Sequence, residues 1–204
     1  MSRALRVGGF NPLTSIDYPG ELAAVVFCQG CPWRCRYCHN AELLPAKSCG
    51  ELQWSALLNQ LEDRRGLLDA IVFSGGEPTA QRALFSAIEQ VRQLGFKVGL
   101  HTAGAYPERL RELLPLLDWV GLDIKALPTS YDLITGVTGS GGLAWESAHI
   151  LANSPLAYQV RLTQHPLLTS DAEIEQIKNM LSMLGVDELK VQQCRTDNCL
   201  DASL

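Results

Sequence analysis

The sequence predicts an α/β protein with a parallel sheet, an incomplete (β/α)6 barrel that is open on one side. Short apolar runs rich in β-branched residues alternate along the chain with segments whose apolar residues recur at helical spacing. That alternation implies parallel strands joined by right-handed crossovers. The 204 residues fit six such units, because a complete eight-unit barrel typically needs about 250.

Composition and charge narrow the class of protein. The formal net charge of -5 argues against a nucleic-acid partner or an anionic membrane surface. Residues 1–10 contain no apolar signal segment and no run approaches transmembrane length, so we expect a cytoplasmic protein without membrane contact. We expect one domain over residues 1–204, with an N-terminal looped segment at 1–20 and a C-terminal tail at 190–204.

The first predicted strand, Leu22–Phe27, leads directly into a loop with three closely spaced cysteines. Cys31, Cys35 and Cys38 lie within eight residues, so their thiols must converge. Thiolates are soft ligands that suit zinc, copper(I) and iron–sulfur clusters. Structural zinc sites and electron-transfer clusters usually take four protein ligands. Three cysteines in one loop therefore indicate a four-iron cluster with one iron open to an exogenous ligand.

Other interpretations of the cysteines stay open at this point. The loop could be a zinc knuckle whose fourth ligand is His39, Cys28 or Cys49, or it could be rich in disulfides. The chain has seven cysteines, an odd number, and their spacing is unlike that of a secreted disulfide scaffold. Cys194 and Cys199 cannot hold a second cluster alone, and we interpret them as incidental thiols.

The next unit carries a glycine pair at the end of a strand. Apolar spacing predicts a helix over residues 51–65, which Gly66 ends, and then a strand over Ala70–Phe73. The sequence Ser-Gly-Gly-Glu-Pro at 74–78 follows that strand. Glycine has no Cβ, so backbone amides at such a turn can approach a ligand closely.

A charged pair marks the end of the fourth predicted strand. Helices are predicted over residues 80–94 and 107–117, with a strand over Phe96–His101 between them. The fourth strand, Trp119–Ile124, runs into Asp-Ile-Lys at 123–125. Side chains alternate on a strand, so the Asp and the Lys share one face, where burial would require polar partners. Taken alone, the pair fits a structural ion pair equally well.

The last units contribute one further basic residue. The predicted strand Tyr158–Thr163 carries Arg161, which points opposite to its apolar neighbours and can clamp a carboxylate. The glycines within 136–142 predict a flexible loop. A helix is predicted over 171–184, with Asp171 as its N-cap.

The cysteine spacing resembles the cluster loop of radical S-adenosylmethionine (radical SAM) enzymes. The Gly-Gly-Glu-Pro at 75–78 and the Asp-Ile-Lys at 123–125 resemble two further motifs of that family, and the resemblance covers nearly the whole chain. It implies a radical SAM partial barrel. It also implies a [4Fe-4S] cluster held by Cys31, Cys35 and Cys38, at which reductive cleavage of S-adenosylmethionine yields a 5′-deoxyadenosyl radical.

The resemblance also implies roles for individual residues. The motif at 75–77 would hold the methionine amine, and an aromatic residue before the last cysteine, here Tyr37, would pack by the cofactor. Catalytic roles fall to the three cluster cysteines together with Lys125 and Arg161. The predicted cofactor contacts are Tyr37, Cys38, His39, Gly75, Gly76, Glu77, Thr102, Asp123, Lys125 and Arg161.

Within the family, the sequence is most similar to activating proteins of anaerobic ribonucleoside-triphosphate reductase. Residues 12–20 and 29–40 both resemble that group, while the Asp-Ile-Lys motif and Arg161 resemble the activases of glycyl radical enzymes in general. The residues Thr-Ala-Gly at 102–104 stand where activases commonly carry Thr-Asn-Gly. The resemblance implies that the radical abstracts a Cα hydrogen from a glycine of a partner glycyl radical enzyme. It also implies a flavodoxin- or ferredoxin-type reductant.

Two alternatives to this assignment remain. One is a small-molecule radical SAM enzyme similar to a deazaguanine synthase, a group that often lengthens the first cysteine spacing. The other is a noncatalytic zinc or electron-carrier module, which would leave the motifs at 75–78 and 123–125 without a reason.

Overall fold

The computed structural model describes residues 4–47 and 52–204. In that part of the chain, seven strands form one sheet in sequence order. The strands are β1 (Val7–Thr14), β2 (Ala23–Cys28), β3 (Ala70–Gly75), β4 (Lys97–Thr102), β5 (Trp119–Asp123), β6 (Ala157–Gln164) and β7 (Leu189–Gln193). The helices are α1 (Trp54–Glu62), α2 (Leu84–Gln93), α3 (Pro107–Leu113), α4 (Tyr131–Thr135), α5 (Ser140–Ala152) and α6 (Asp171–Met183). None of these helices has the length and apolar character of a membrane span.

The sheet confirms the predicted incomplete (β/α)6 partial barrel. The six strands from β2 to β7 pair in parallel, each with the next one along the chain. The sheet does not close, since β1 and β7 lie at its two edges. Because parallel strands end on the same side, loops after β2 to β6 meet at one edge of the sheet.

The N-terminal segment differs from the prediction, because part of the predicted loop at 1–20 is a strand. β1 pairs antiparallel with β2, with irregular register near both of its ends. Gly8, Gly9 and Pro12 interrupt any alternating pattern in β1, so its sequence is similar to that of a turn. An edge strand tolerates proline because one side of it needs no ladder hydrogen bonds.

Two local predictions are wrong. The stretch 136–142 is not a loop throughout, because α5 includes Gly141, whose missing side chain lets the helix pack against the Pro128 carbonyl. The N-cap of α6 is Ser170, whose hydroxyl accepts a backbone N–H hydrogen bond, while Asp171 is the first helical residue. The candidate zinc ligand Cys49 and the first residue of the predicted helix at 51–65 lie outside the described residues.

Side chains fill the interior of the partial barrel near the beginnings of the strands. A cluster of buried side chains occupies the inner face of the sheet near the beginnings of the strands, and it comprises Tyr18, Ala23, Val25, Ala70, Val72 and Trp119. The rings of Tyr18 and Trp119 lie 5.4 Å apart between centroids. A Cβ at Gly99 would lie 3.0 Å from the Tyr18 ring, so glycine there makes room for the aromatic side chain. The open space of the barrel is therefore confined to the carboxyl ends of the strands.

Candidate active site

The loop Cys31–Cys38, here named the cysteine loop, follows β2 and is fixed by the end of α4. The N–H groups of Arg34 and Arg36 donate to the carbonyl oxygens of Thr135 and Ile134, each at 2.9 Å. The last carbonyls of a helix have no partner within the helix. Here the cysteine loop supplies those partners, so helix α4 positions the loop.

A cavity of about 310 Å³ opens beside the cysteine loop at the carboxyl ends of the strands. This is where parallel α/β folds place their chemistry. The cavity is lined by Cys31, Trp33, Cys35, Tyr37, Cys38, His39, Asn40, Ser74, Gly75, Gly76, His101, Thr102, Ala103, Asp123, Lys125, Arg161, Thr163 and Gln192.

The three thiols of the cysteine loop share this cavity but are spread apart. Cys35 is buried, while Cys31 and Cys38 are partly exposed. Among the described residues, these three sulfurs do not form a group in which every pair lies within 4.8 Å. Thiolates around one tetrahedral zinc ion lie only about 3.8 Å apart, given Zn–S bonds of about 2.3 Å. The cavity of about 310 Å³ beside the thiols leaves room for a polynuclear cluster.

Burial raises the pKa of two of these thiols. The pKa of Cys31 rises to about 12, mainly through burial and then through the nearby Glu77 carboxylate. Burial also raises the pKa of Cys35, although the Lys125 ammonium acts in the opposite direction. A bound metal ion deprotonates a ligating thiol outright. These cysteines therefore suit metal ligation better than service as free nucleophiles.

The glycine turn after β3 packs against the backbone that enters the cysteine loop. Gly75 has a φ of 102°, in the region that favours glycine. The N–H of Gly76 donates to the Cys28 carbonyl and that of Glu77 to the Gly30 carbonyl, each at 2.9 Å. A Cβ at Gly76 would lie 2.5 Å from the Gly30 oxygen. The contact with this backbone therefore requires glycine, and both glycines also line the cavity.

Glu77 is fully buried and does not line the cavity. Its carboxylate accepts hydrogen bonds from the N–H and the hydroxyl of Thr79, at 3.0 and 2.6 Å. It also accepts from the Thr102 hydroxyl at 2.7 Å and the Ala103 N–H at 2.9 Å. Burial raises the pKa of Glu77, and these hydrogen bonds oppose the rise. The carboxylate therefore joins the turn after β3 to the end of β4, where Thr102 and Ala103 reach the cavity.

Asp123, Arg161 and His101 form a polar network across three neighbouring strands, β5, β6 and β4. Nε of Arg161 donates to Oδ1 of Asp123 at 3.0 Å, and Nη2 donates to Nδ1 of His101 at 3.0 Å. Arginine is only a donor, so His101 carries its proton on Nε2, which donates to the Asp17 carbonyl at 2.7 Å. Burial and then Arg161 lower the pKa of His101. Burial works to raise the pKa of Asp123, but Arg161 and Lys125 outweigh it and lower that pKa.

Lys125 is a buried cation in the cavity wall, 9% exposed. Its Nζ lies 5.5 Å from the centroid of the Tyr37 ring. Burial acts to lower its pKa, but Tyr37, Cys35 and Asp123 raise the pKa well above the ordinary value. Its backbone N–H donates to the Tyr131 hydroxyl at 3.1 Å. The Tyr37 hydroxyl is itself buried and has no hydrogen-bond partner within the described part of the chain.

The cavity brings together every predicted site residue except Glu77. Those residues are Cys31, Cys35, Tyr37, Cys38, His39, Gly75, Gly76, Thr102, Asp123, Lys125 and Arg161. The sequence analysis did not nominate His101, Thr163 or Gln192, which also line it. His101 and Thr163 are the last residues of predicted strands, and that position could have indicated them. Gln192 lies within β7, and its local sequence has no such signal.

The two cysteines of the tail are not isolated from other ligand-type side chains. Cys194 and Cys199 were interpreted as incidental thiols. Their sulfurs and a ring nitrogen of His39 all lie within 4.8 Å of one another. No local spacing indicates this group, because His39 comes from the other end of the chain.

Comparisons with known proteins agree with this geometry. The sequence model of the Radical SAM superfamily matches residues 25–181. A Methanocaldococcus jannaschii protein named as a glycyl-radical enzyme activating enzyme is 37% identical over 122 residues, 58% of this chain and 50% of that protein. The pyruvate formate-lyase-activating enzyme of Clostridium pasteurianum is 33% identical over 137 residues, 64% of this chain and 57% of the relative. The 7-carboxy-7-deazaguanine synthase of Thermococcus kodakarensis is 26% identical over 184 residues, which cover 80% of this chain and 70% of that protein.

Solved structures extend the likeness to the fold. The structure of native anSMEcpe with bound AdoMet matches with a TM-score of 0.65 at 15% identity, over 81% of this chain and 50% of that one. The chain spans about half the length of the first curated relatives that it matches, 50% and 57%.

Proposed function

Because this chain belongs to the radical SAM superfamily, we propose that it is the activase of a glycyl radical enzyme. The [4Fe-4S] cluster and S-adenosylmethionine are the cofactors of this superfamily, and when bound they supply the radical that abstracts a glycine Cα hydrogen. The protein supplies orientation and exclusion of water. A finer proposal is that the partner is anaerobic ribonucleoside-triphosphate reductase. It rests on the resemblance of residues 12–20 and 29–40 to that activase group.

One observation carries the proposal: the three thiols of the cysteine loop share a cavity with a cation and a carboxylate–guanidinium pair. The cysteines would hold the cluster, as the resemblance of their spacing to the cluster loop of the family implies. Lys125 and Arg161 are suited to the carboxylate of a methionyl group, and Asp123 to its ammonium or to a ribose hydroxyl. The noncatalytic zinc module explains none of these three side chains.

Two further features of the cavity would hold the cofactor. Gly75 and Gly76 present bare backbone to the cavity, as a close approach by an amino acid requires. The Tyr37 side chain lines the cavity beside Lys125, whose Nζ lies 5.5 Å from the ring centroid, so the ring can pack against a ligand. Glu77 would act from behind, by fixing Thr102 and Ala103 at the cavity wall. A flavodoxin- or ferredoxin-type protein is the proposed reductant.

Paramagnetic resonance tests the proposed activity directly. The reconstituted and reduced protein would be incubated with S-adenosylmethionine and each candidate glycyl radical enzyme. We expect a glycyl radical on the partner in amounts that match the S-adenosylmethionine cleaved, and none with the Cys35→Ser variant. Cleavage that never yields a radical on any glycyl radical enzyme would contradict the proposal.

A deazaguanine-synthase-like activity is the second candidate. The Thermococcus kodakarensis relative favours it, since the alignment reaches 80% of this chain at 26% identity. Steady turnover of a purine-like small molecule, without any protein partner, would favour this candidate over the activase.

A further inference from the structure

Ligand-type side chains also converge at a second place, where the tail meets the rim of the cavity at His39. The group consists of His39, Cys194 and Cys199, whose ligand atoms all lie within 4.8 Å of one another. All three lie close to one acceptor, the carbonyl oxygen of Arg195. Nε2 of His39 is 2.8 Å from it, and the Sγ atoms of Cys194 and Cys199 are 3.1 and 3.4 Å from it. All three side chains therefore face the same backbone carbonyl, which brings them together.

Two features of the tail create this convergence. Cys194 directly follows β7, and its N–H donates to the Gln164 carbonyl at 2.8 Å, which fixes it to the sheet. Asn198 has a φ of 65° and is the one non-glycine residue with a positive φ in the described ranges. Asparagine tolerates this left-handed conformation better than most residues. The chain reverses there, and Cys199 returns beside Cys194.

The donor set matches the chemistry of zinc. One imidazole and two thiols are typical zinc ligands, with Zn–N bonds of about 2.0–2.1 Å and Zn–S bonds of about 2.3 Å. Ligand atoms around a tetrahedral zinc ion then lie about 3.4–3.8 Å apart. The present separations, none above 4.8 Å, need to contract by only about 1 Å. We propose that His39, Cys194 and Cys199 bind one Zn²⁺ ion, with water as the fourth ligand, at a site separate from the iron–sulfur cluster.

The ion would reinforce an existing connection between the tail and the cysteine loop. The N–H of Leu200 donates to the Cys38 carbonyl at 3.0 Å, and that of Asp201 to the Arg36 carbonyl at 2.8 Å. The side chains of Arg36 and Asp201 form an ion pair at 2.7 Å. His39 directly follows Cys38, so a zinc ion would join the same two segments. The ion would hold the tail beside the mouth of the cavity, and its fourth position would stay open to water.

Elemental analysis of the full chain tests the site. The protein would be reconstituted anaerobically with iron and sulfide, given Zn²⁺, and freed of loosely bound metal. We expect about four iron atoms and about one zinc ion per chain. Cys194→Ser and Cys199→Ser should bind zinc at least tenfold more weakly while keeping their iron. The matched control is Cys28→Ala, a buried cysteine outside both sites, which should keep both metals.

Cobalt provides a second measurement that reports on the ligands themselves. Co²⁺ bound to the Cys31→Ala/Cys35→Ala/Cys38→Ala protein should show thiolate-to-cobalt charge-transfer absorption, which should vanish when Cys194→Ser is added. Equal zinc binding by the wild type and Cys194→Ser would overturn the proposal. So would a Cys194–Cys199 disulfide in anaerobically prepared protein, or a loss of iron in Cys194→Ser. These readouts are independent of S-adenosylmethionine cleavage, so the two proposals can fail separately.

Discussion

Asp123 and Arg161 are register partners on β5 and β6, and Nε of Arg161 donates to Oδ1 of Asp123 at 3.0 Å. The same guanidinium donates to Nδ1 of His101 on β4, at 3.0 Å. Three neighbouring strands thus share one hydrogen-bonded network at the cavity. His101 is the member of the network whose ordinary pKa lies closest to neutrality.

The titration of His101 should appear in the pH dependence of the free energy of unfolding. Burial and Arg161 lower the folded-state pKa of His101. The neutral ring therefore contributes its whole stabilisation above the unfolded-state pKa of about 6.5. This contribution is lost as the pH falls through the folded-state pKa. A glutamine at this position can donate to Asp17 and accept from Arg161, but it does not titrate. We expect the wild type to lose free energy of unfolding relative to His101→Gln between about pH 7.5 and 5.5. Urea unfolding at each pH measures the difference, and a difference that stays constant would contradict the lowered pKa.

Gly76 should tolerate no side chain, because its Cβ would lie 2.5 Å from the Gly30 carbonyl oxygen. We expect Gly76→Ala to displace the backbone that enters the cysteine loop, to lower the free energy of unfolding by about 1–3 kcal/mol, and to reduce iron binding. Gly142→Ala is the matched control, since a Cβ there meets nothing within 4 Å and the residue is helical. Thermal unfolding and iron content per chain check both variants. Normal iron and stability in Gly76→Ala would show that the Gly30 backbone can yield.

Glu77→Gln should be destabilising although it preserves the shape of the side chain. The carboxylate accepts from four donors, and an amide NH₂ in place of one oxygen would face a donor such as the Ala103 N–H. Leaving such a buried group unpaired costs about 1–3 kcal/mol. We also expect weaker S-adenosylmethionine binding, measured by calorimetry, because Thr102 and Ala103 line the cavity. The exposed Glu89→Gln serves as the control, and equal behaviour of the two variants would exclude this role for Glu77.

Variants of different cysteines should differ clearly in their iron content. Cys35→Ser removes a thiol that lines the cavity, and we expect it to lose nearly all iron after reconstitution. Cys28→Ala removes a buried thiol that does not line the cavity, and we expect about four irons per chain to remain. Iron loss in Cys28→Ala with retention in Cys35→Ser would reverse the assignment. Stoichiometric zinc without iron in the wild-type cysteine loop would support the zinc knuckle instead.

Much of the fold could be predicted because the parallel strands carry their own signal. β3 is apolar and buried over Ala70–Phe73, so its burial on both faces appears directly in the sequence. β1 has no such signal. Its conformation comes from antiparallel pairing with β2, and the local residues Gly8, Gly9 and Pro12 favour a turn. An edge strand of this kind is set by tertiary contact rather than by pattern.

The residues of the candidate site also include some whose place the sequence could indicate and some whose place it could not. Asp123 could be nominated because it ends a strand whose motif resembles that of the activases, and Arg161 because it points away from its apolar neighbours on the predicted strand. The place of Glu77 could not, because its partners Thr102 and Ala103 lie 25 and 26 residues further along the chain. Local spacing also gives no indication that His39 contacts the tail, because its hydrogen bond to Arg195 spans 156 residues.

The pairing of the cysteine loop with the tail also has a consequence for biosynthesis. Arg36 and Asp201 are 165 positions apart in the chain. A ribosome that adds about 5–20 residues per second needs roughly 10–30 s to cover that distance. Throughout that interval the loop has been translated, while the segment that will cover its flank has not. An iron donor that acts on the nascent polypeptide therefore meets an uncovered loop, whereas repair of a lost cluster in the mature protein must work around a docked tail.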